Sequence, residues 1–413
     1  MEGDTAAGTR GPGTVSGPTP WSILALLSVA ELLGMSLWFT ASAVSPQLSE
    51  LWSLSPSEAG WLTTVVQLGF VAGTALAAVL NLADIFPSRY YLAVCALGAA
   101  LANLLLLAVP GYAPALVLRF ATGLLLAGVY PPAMKMIATW FRTGRGFAIG
   151  TIVGALTVGK AAPYLVSALG TVVYTGVIVS TSLGAVAAAA LVAAFYRDGP
   201  EPFERRPFSW GLVGTVARDA RTRLAVGGYL GHMWELYAVW TGASLFFLDH
   251  FLRRGWTPTA SAMWAGLSAF GLIAAGGIGA VMAGRWADRL GRENIAIASL
   301  VVSGACCLTA GWLVGAPSAV VVTLGLVWGF AVVADSAQFS ALVTEDAPRH
   351  AVGTALTLQT SLGFLLTAGA IQALIAVEQR FGWGPAFSML AVGPVFGIWQ
   401  MVRLKAERTR DAH

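Results

Sequence analysis

The chain has 413 residues, 57% hydrophobic and 11% charged, with a mean hydropathy of +0.73. A soluble domain carries roughly 25% charged residues, so 24 basic and 20 acidic side chains are too few to coat a soluble particle of this length. Cys95, Cys306 and Cys307 all lie in apolar runs, which excludes a secreted disulfide scaffold, and abundant Leu, Val, Phe and Trp exclude disorder; a polytopic membrane protein remains.

Residues 1–20 are rich in Gly, Pro and Thr and read as a cytoplasmic tail. Twelve stretches then meet the requirement of about 20 mostly apolar residues for a spanning helix. In the first half they cover 21–43, 58–83, 89–110, 112–140, 146–168 and 171–196; in the second, 224–248, 261–284, 294–315, 317–342, 351–377 and 385–402. A membrane barrel would show alternating segments of roughly ten residues instead. The run ending Ala41-Ser42-Ala43 has the small residues of a signal-peptide cleavage site. It is too long for such a segment and carries Glu31 at its centre, so it reads as a retained first span. The expected organisation is a six-helix bundle over 21–196, a cytoplasmic loop over 197–223, a second bundle over 224–402 and a basic cytoplasmic tail over 403–413.

Basic residues set the orientation. With both termini cytoplasmic, 18 of the 24 Lys and Arg residues fall inside, among them Arg142, Arg145, Arg205, Arg206, Arg403, Lys405, Arg408 and Arg410. Only Arg253, Arg254 and Arg380 fall outside. The positive charge is therefore topological rather than a nucleic-acid surface. The expected location is the cytoplasmic (inner) membrane.

An offset of 204 residues aligns Glu31 with Glu235, Asp84 with Asp288 and Arg145 with Arg349, each pair in matching topological places. Such a repeat implies duplication, with the halves related by an axis normal to the membrane. The loop Gly284-Arg285-Trp286-Ala287-Asp288-Arg289-Leu290-Gly291-Arg292 joins the eighth and ninth spans. It resembles the G-x-L-a-D-r-x-G-r-k loop of the major facilitator superfamily, and the resemblance extends over essentially the whole chain. Its first-half copy keeps Asp84 and Arg89 but loses both glycines. Physically, Asp288 or Asp84 at a helix end can face the N-terminus of a neighbouring helix, where the dipole favours an anion. Arg289 and Arg292 can pair across the cytoplasmic face, making a latch that breaks as the halves rock. The resemblance implies an all-α membrane protein of 12 transmembrane helices in two pseudo-symmetric six-helix bundles, working as a monomer. Arg119-Phe-Ala-Thr-Gly123 in the fourth span is similar to the family's R-x-x-x-G element, in which the Arg tends to serve proton coupling. Gly146, Gly150 and Gly154 resemble the glycine-rich fifth span of antiporters without its Gly-Pro pair, and also suit close helix packing.

Charges inside a bilayer cost about 2.5–3.5 kcal/mol each on insertion scales and point to function. Six stand well inside spans: Glu31, Arg119, Lys135, Lys160, Glu235 and Asp335. Five lie on the first, fourth, seventh and tenth spans, which in the family line the central cavity. Glu31, with Arg119, is the expected proton-coupling site: a buried carboxylate's hold on a proton depends on whether Arg119 or Lys160 stands beside it. Trp38, Lys160, His232, Glu235 and Tyr237 are the expected substrate-cavity residues, with Trp234, Trp240 and Trp328 as further candidates. Lys135 and Asp335, from repeat-related helices, are expected to form a cytoplasmic gate with Gln338. Trp52, Trp61, Trp140, Trp256 and Trp383 sit near span ends, as interfacial belt residues do.

Gly154-Ala-Leu-Thr-Val-Gly159-Lys160 has the spacing of a phosphate-binding loop, but Ala161 stands where Ser or Thr is required and no strand precedes it. ATP is therefore not the expected energy source. No catalytic motif and no paired-cysteine metal spacing appears, and His232-x-x-Glu235 is too short a signal for a metal. Neither an enzyme nor a cofactor is expected. The reading is a secondary transporter of a small solute, with an anion as one candidate, coupled to protons by alternating access. Glu31 and Glu235 would equally suit a cationic drug leaving by proton antiport, and a uniporter or transporter-like receptor would need no titrating carboxylate. The nitrate branch of the superfamily uses an Arg in each of the second and eighth spans, and neither 58–83 nor 261–283 contains one.

Overall fold

The computed structural model describes residues 18–141, 144–169, 173–200 and 208–410, apart from the side chains of Ala83, Asp84 and Arg145. The expectations for residues 1–17, Arg142, Arg205 and Arg206, and for the Asp84 and Arg145 side chains, lie outside this set. Among the described residues all regular structure is helical, and ten helices are long and apolar enough to cross a membrane. They are Pro56–Val79, Ser88–Leu107, Tyr112–Ala138, Gly146–Ala168, Tyr174–Phe195, Pro258–Leu290, Arg292–Leu313, Ser318–Asp346, Arg349–Phe381 and Trp383–Arg410. The chain is thus an all-α, multi-pass membrane protein.

The other two expected spans are helical but depart from a plain apolar rod. The first comprises Pro20–Met35, a turn over 36–39 and the short helix Thr40–Ala43. The seventh lies within Ala220–Arg253, a 34-residue helix with His232 and Glu235 at its centre. At about 1.5 Å per residue it is roughly 51 Å long, well beyond the hydrocarbon thickness of about 30 Å.

Helix starts follow the local sequence. Thr19 and Ser55 form reciprocal capping boxes with Ser22 and Glu58, each with proline in the first turn. Asp219 and Thr257 cap the helices that follow them. Each cap satisfies backbone N–H groups that the helix itself cannot. The fourth span is interrupted at 127–129, one turn before Pro131 and Pro132, where a proline ring obstructs the carbonyl four residues back. The tenth is interrupted at Asp335, between Ser318–Ala334 and Ser336–Asp346.

Among the described residues the most extensive helix pair is Arg145–Ala168 with Pro258–Leu290, running antiparallel. Gly146 faces Gly284, Gly150 faces Ala280 and Gly154 faces Gly277. A Cβ at Gly154 would sit 2.9 Å from the Gly277 carbonyl oxygen, and one at Gly277 would sit 2.8 Å from that of Gly154. Glycine is required at both, because any side chain would push the two backbones apart. The glycine spacing read in the sequence therefore serves helix packing. Pro56–Val79 and Val352–Phe381 form a second antiparallel pair, with Gly60 against Ile375 and Gln372 donating to Thr64 Oγ1 at 2.9 Å.

Gly154→Val and Gly277→Val are each expected to lower the thermal unfolding midpoint, with a cost of about 1–3 kcal/mol from overpacking. Because both collide at one crossing, the double variant should cost clearly less than the sum of the singles. Unfolding of the three purified variants checks this.

Candidate functional site

Glu31 lies in the last turn but one of Pro20–Met35, and the break that follows turns Trp38 and Phe39 into the middle of the protein. All three are fully buried. Neither carboxylate oxygen of Glu31 finds a hydrogen-bond partner among the described residues. Lys160, on Arg145–Ala168 three residues before Pro163, is the cation acting on it, with no hydrogen bond between the two. The Lys160 ammonium donates instead to the Tyr237 hydroxyl at 2.5 Å. It sits 4.3 Å from the ring centre of Trp38, 5.0 Å from that of Tyr237 and 5.7 Å from that of Trp240. A cation over aromatic faces is held by the ring quadrupoles, most strongly where water is absent. Trp38 also meets Phe70 and Phe364, at 5.0 and 5.6 Å between ring centres. Residues from the first, second, fifth, seventh and eleventh expected spans thus close around one ammonium.

Arg119 has a different setting. Its guanidinium donates to the carbonyls of Leu37 at 3.1 Å, Trp38 at 2.5 Å and Leu62 at 3.4 Å, and to Asn103 Oδ1 at 3.2 Å. Non-helical backbone at membrane depth persists only where its polar groups are satisfied by protein. Arg119 supplies donors at the break in the first span and so fixes where Trp38 points. Asn103, unremarked in the sequence, completes the arrangement by bonding to Thr181 and Ser182.

Glu235, the repeat mate of Glu31, is also fully buried but has partners. Ser303 donates to it at 2.9 Å and Trp328 Nε1 at 2.5 Å. It faces into the second half, whereas Tyr237, two residues on, faces Lys160. His232 Nδ1 lies 2.8 Å from Asp335 Oδ1, both buried. The structure thus joins a cavity candidate to a gate candidate. Lys135 stands partly buried in the last turn of Tyr130–Ala138. Trp383, expected at an interface, is buried against Phe246 and Phe387.

In the loop between the eighth and ninth expected spans, Gly291 ends the Pro258–Leu290 helix at φ +87°, a conformation that disfavours side chains, which accounts for the glycine of the loop motif. The Asp288 carboxylate lies beside Gly146, within 3.9 Å of where that residue's Cβ would be, at the N-terminus of Arg145–Ala168. Arg292 comes to 3.9 Å from Asp288, donates to Glu345 at 2.6 Å and reaches Gln338 at 3.3 Å. Arg408, read in the sequence only as part of a basic tail, bridges Glu293, Glu345 and Asp346 at 2.8, 3.2 and 2.8 Å. Arg289 is exposed, and Arg89 donates to the Tyr90 hydroxyl at 2.8 Å.

The description Major Facilitator Superfamily fits residues 26–371, most of the chain. The chain belongs to that superfamily. It is accordingly a polytopic membrane transporter. The "Putative transporter YdfJ" of Escherichia coli (strain K12) is 29% identical over 187 residues, covering 41% of this chain and 43% of that protein. The chain therefore matches less than half the length of that relative. Among solved structures, the xylose transporter XylE from E. coli superposes with a TM-score of 0.72 over 94% of this chain and 99% of that one. The nucleoside transporter NupG gives 0.70 over 92% and 99%, and the human organic anion transporter MFSD10 gives 0.64 over 93% and 100%. Each of the three is 14% identical, so the likeness is one of fold.

Removing the Arg119 donors leaves buried carbonyls unsatisfied, at about 1–3 kcal/mol each. Arg119→Leu is expected to lower the thermal midpoint of the transporter by several degrees or prevent its accumulation, with Arg119→Lys only partly restoring it. Unfolding of the two variants in detergent, compared with Glu31→Gln, separates this anchoring role from one in coupling.

Proposed function

We propose that the protein is a proton-coupled secondary transporter of a small anionic solute, with Lys160 binding the anion and Glu31 carrying the proton. Two pseudo-symmetric six-helix halves, 21–196 and 224–402, would rock about this site, with both termini on the cytoplasmic side of the inner membrane. The helix pairing supports this arrangement. Under the 204-residue offset the fifth and eighth spans map onto the eleventh and second, and both of these pairs are in contact.

One observation carries the reading. Glu31 is buried without a hydrogen-bond partner among the described residues, while Lys160, the cation acting on it, is committed to Tyr237 of the other half. A buried carboxylate with no donor is costly when ionised, so its state depends on what Lys160 is doing. An anion arriving at Lys160 withdraws that support, and Glu31 then takes up a proton. When the halves separate, Tyr237 leaves Lys160 and the linkage is reset. The latch of Asp288 with the helix bearing Gly146, and the His232–Asp335 contact, would hold the cytoplasmic side until then. Efflux of an amphiphilic cation by proton antiport draws on the same carboxylate among aromatic rings, but Lys160 over Trp38 opposes a cation there.

In proteoliposomes holding a pH-sensitive dye, a transported monovalent anion should drive proton movement in the native protein. Glu31→Gln is expected to abolish that movement while anion–anion exchange continues, and Lys160→Gln to abolish both. Full anion-driven proton movement in Glu31→Gln would remove the coupling role, and would leave a uniporter as the better reading.

A further inference from the structure

We infer that the anion taken at Lys160 is a small planar aromatic monocarboxylate, its carboxylate on the ammonium and its ring among Trp38, Phe70 and Phe364. This rests on the reading of Lys160 as the anion site. Three features of the site choose among anions.

The first is charge. Lys160 is one cation, and Arg119, the other buried cation among the described residues of this half, has its donors committed to Leu37, Trp38, Leu62 and Asn103. A dianion would bring a second negative charge near Glu31 with nothing to balance it. The second is the donor set. The Tyr237 hydroxyl accepts from the ammonium, and the Trp38 and Trp240 rings lie 4.3 and 5.7 Å from it, with their buried indole N–H groups free of any hydrogen-bond partner among the described residues. That is enough for two carboxylate oxygens. It is too few for a compact oxyanion that presents acceptors on every side and must shed its whole hydration shell.

The third is the nature of the walls. Aromatic faces are electron-rich and repel a bare anion, whereas they accept the edge or offset face of another ring. Phe70 and Phe364 lie 4.6 Å apart between ring centres, from opposite halves of the chain, and Trp38 meets both. These contacts close the site when it is empty. A flat ring entering as the halves part exchanges contacts of the same kind, so nothing polar is stranded. Gln67, one turn before Phe70 and buried with both amide atoms unpartnered, offers a donor and an acceptor to a ring substituent.

Calorimetric titration and thermal unfolding of the purified full-length protein test this with benzoate, cyclohexanecarboxylate, acetate, nitrate and neutral benzamide. Benzoate is expected to bind about tenfold tighter than cyclohexanecarboxylate, which matches its charge and bulk but cannot stack. Acetate, nitrate and benzamide should each be weaker than benzoate by tenfold or more. Trp38→Leu should erase the preference for benzoate over cyclohexanecarboxylate while both still bind; Phe364→Leu gives the same readout if Trp38→Leu does not fold. Lys160→Gln should abolish binding of every anion. Equal affinity for benzoate and cyclohexanecarboxylate overturns the aromatic specificity and leaves the anion reading intact. Benzamide equal to benzoate, or Lys160→Gln without effect, overturns the anion reading itself, and no binding by any probe overturns both.

Discussion

The turn at 36–39 in the first span is where the rest of the centre begins. A helix cannot be interrupted at membrane depth unless protein groups answer the backbone, because no water is there to do so. Arg119 answers it with bonds to the Leu37 and Trp38 carbonyls, and Asn103 holds the guanidinium from the other side. A rigid planar fork suits this task better than an ammonium would, since it reaches several acceptors at once. The interruption carries Trp38 and Phe39 away from the positions an unbroken helix would assign them. Trp38 then lies under Lys160, and Lys160 reaches Tyr237. A charge that resembles a coupling residue in sequence is thus the anchor on which the shape of the substrate region depends.

The two members of the repeat have diverged in a way that divides their tasks. Glu31 and Glu235 share an offset, a topological place and complete burial. Glu235 has bonds from Ser303 and Trp328, so its carboxylate is held in one geometry within its own half. Glu31 has none among the described residues, and Lys160, the cation acting on it, is bonded instead to Tyr237. A fully bonded buried carboxylate stiffens its surroundings, while an unbonded one is free to change state. The long unbroken helix Ala220–Arg253 fits the first role, and the broken first span fits the second.

Much of the fold is legible in the sequence because apolar length is a strong signal. Ten of the expected spans correspond to helices long and apolar enough to cross a membrane. The first and seventh are harder, since Ser36 to Phe39 carry no proline or glycine to announce a break, and His232 and Glu235 dilute the apolar run of the other. The buried charges are visible as a set, because each is costly where it stands. Their partners are not, because partner choice depends on helix rotation. Asp335 meets His232 from 103 residues away, and Arg408 meets Glu293 from 115 residues away, spacings that no local pattern encodes. The glycines of the fifth span were readable as packing residues, but only the facing carbonyls of Gly277 and Gly154 show why the packing needs them.

The charge content of the centre constrains what the protein can carry. With Glu31 ionised and Lys160 charged, the empty site is neutral. Adding one anion makes the site singly negative, and moving a net charge across a membrane potential costs or releases about 2.3 kcal/mol per 100 mV. A bound anion would also compete for Lys160, the cation acting on Glu31, in a region of low dielectric, where charges act on one another strongly. A proton on Glu31 relieves both penalties at once. Under the proposed coupling the loaded site would again be neutral, so the rocking step would carry no net charge and anion and proton would move in equal numbers. The same arithmetic makes the half-loaded site the least favourable state to move. The proposed coupling would then follow from two residues of opposite charge that act on one another without bonding, with Tyr237 taking the Lys160 ammonium in the empty site.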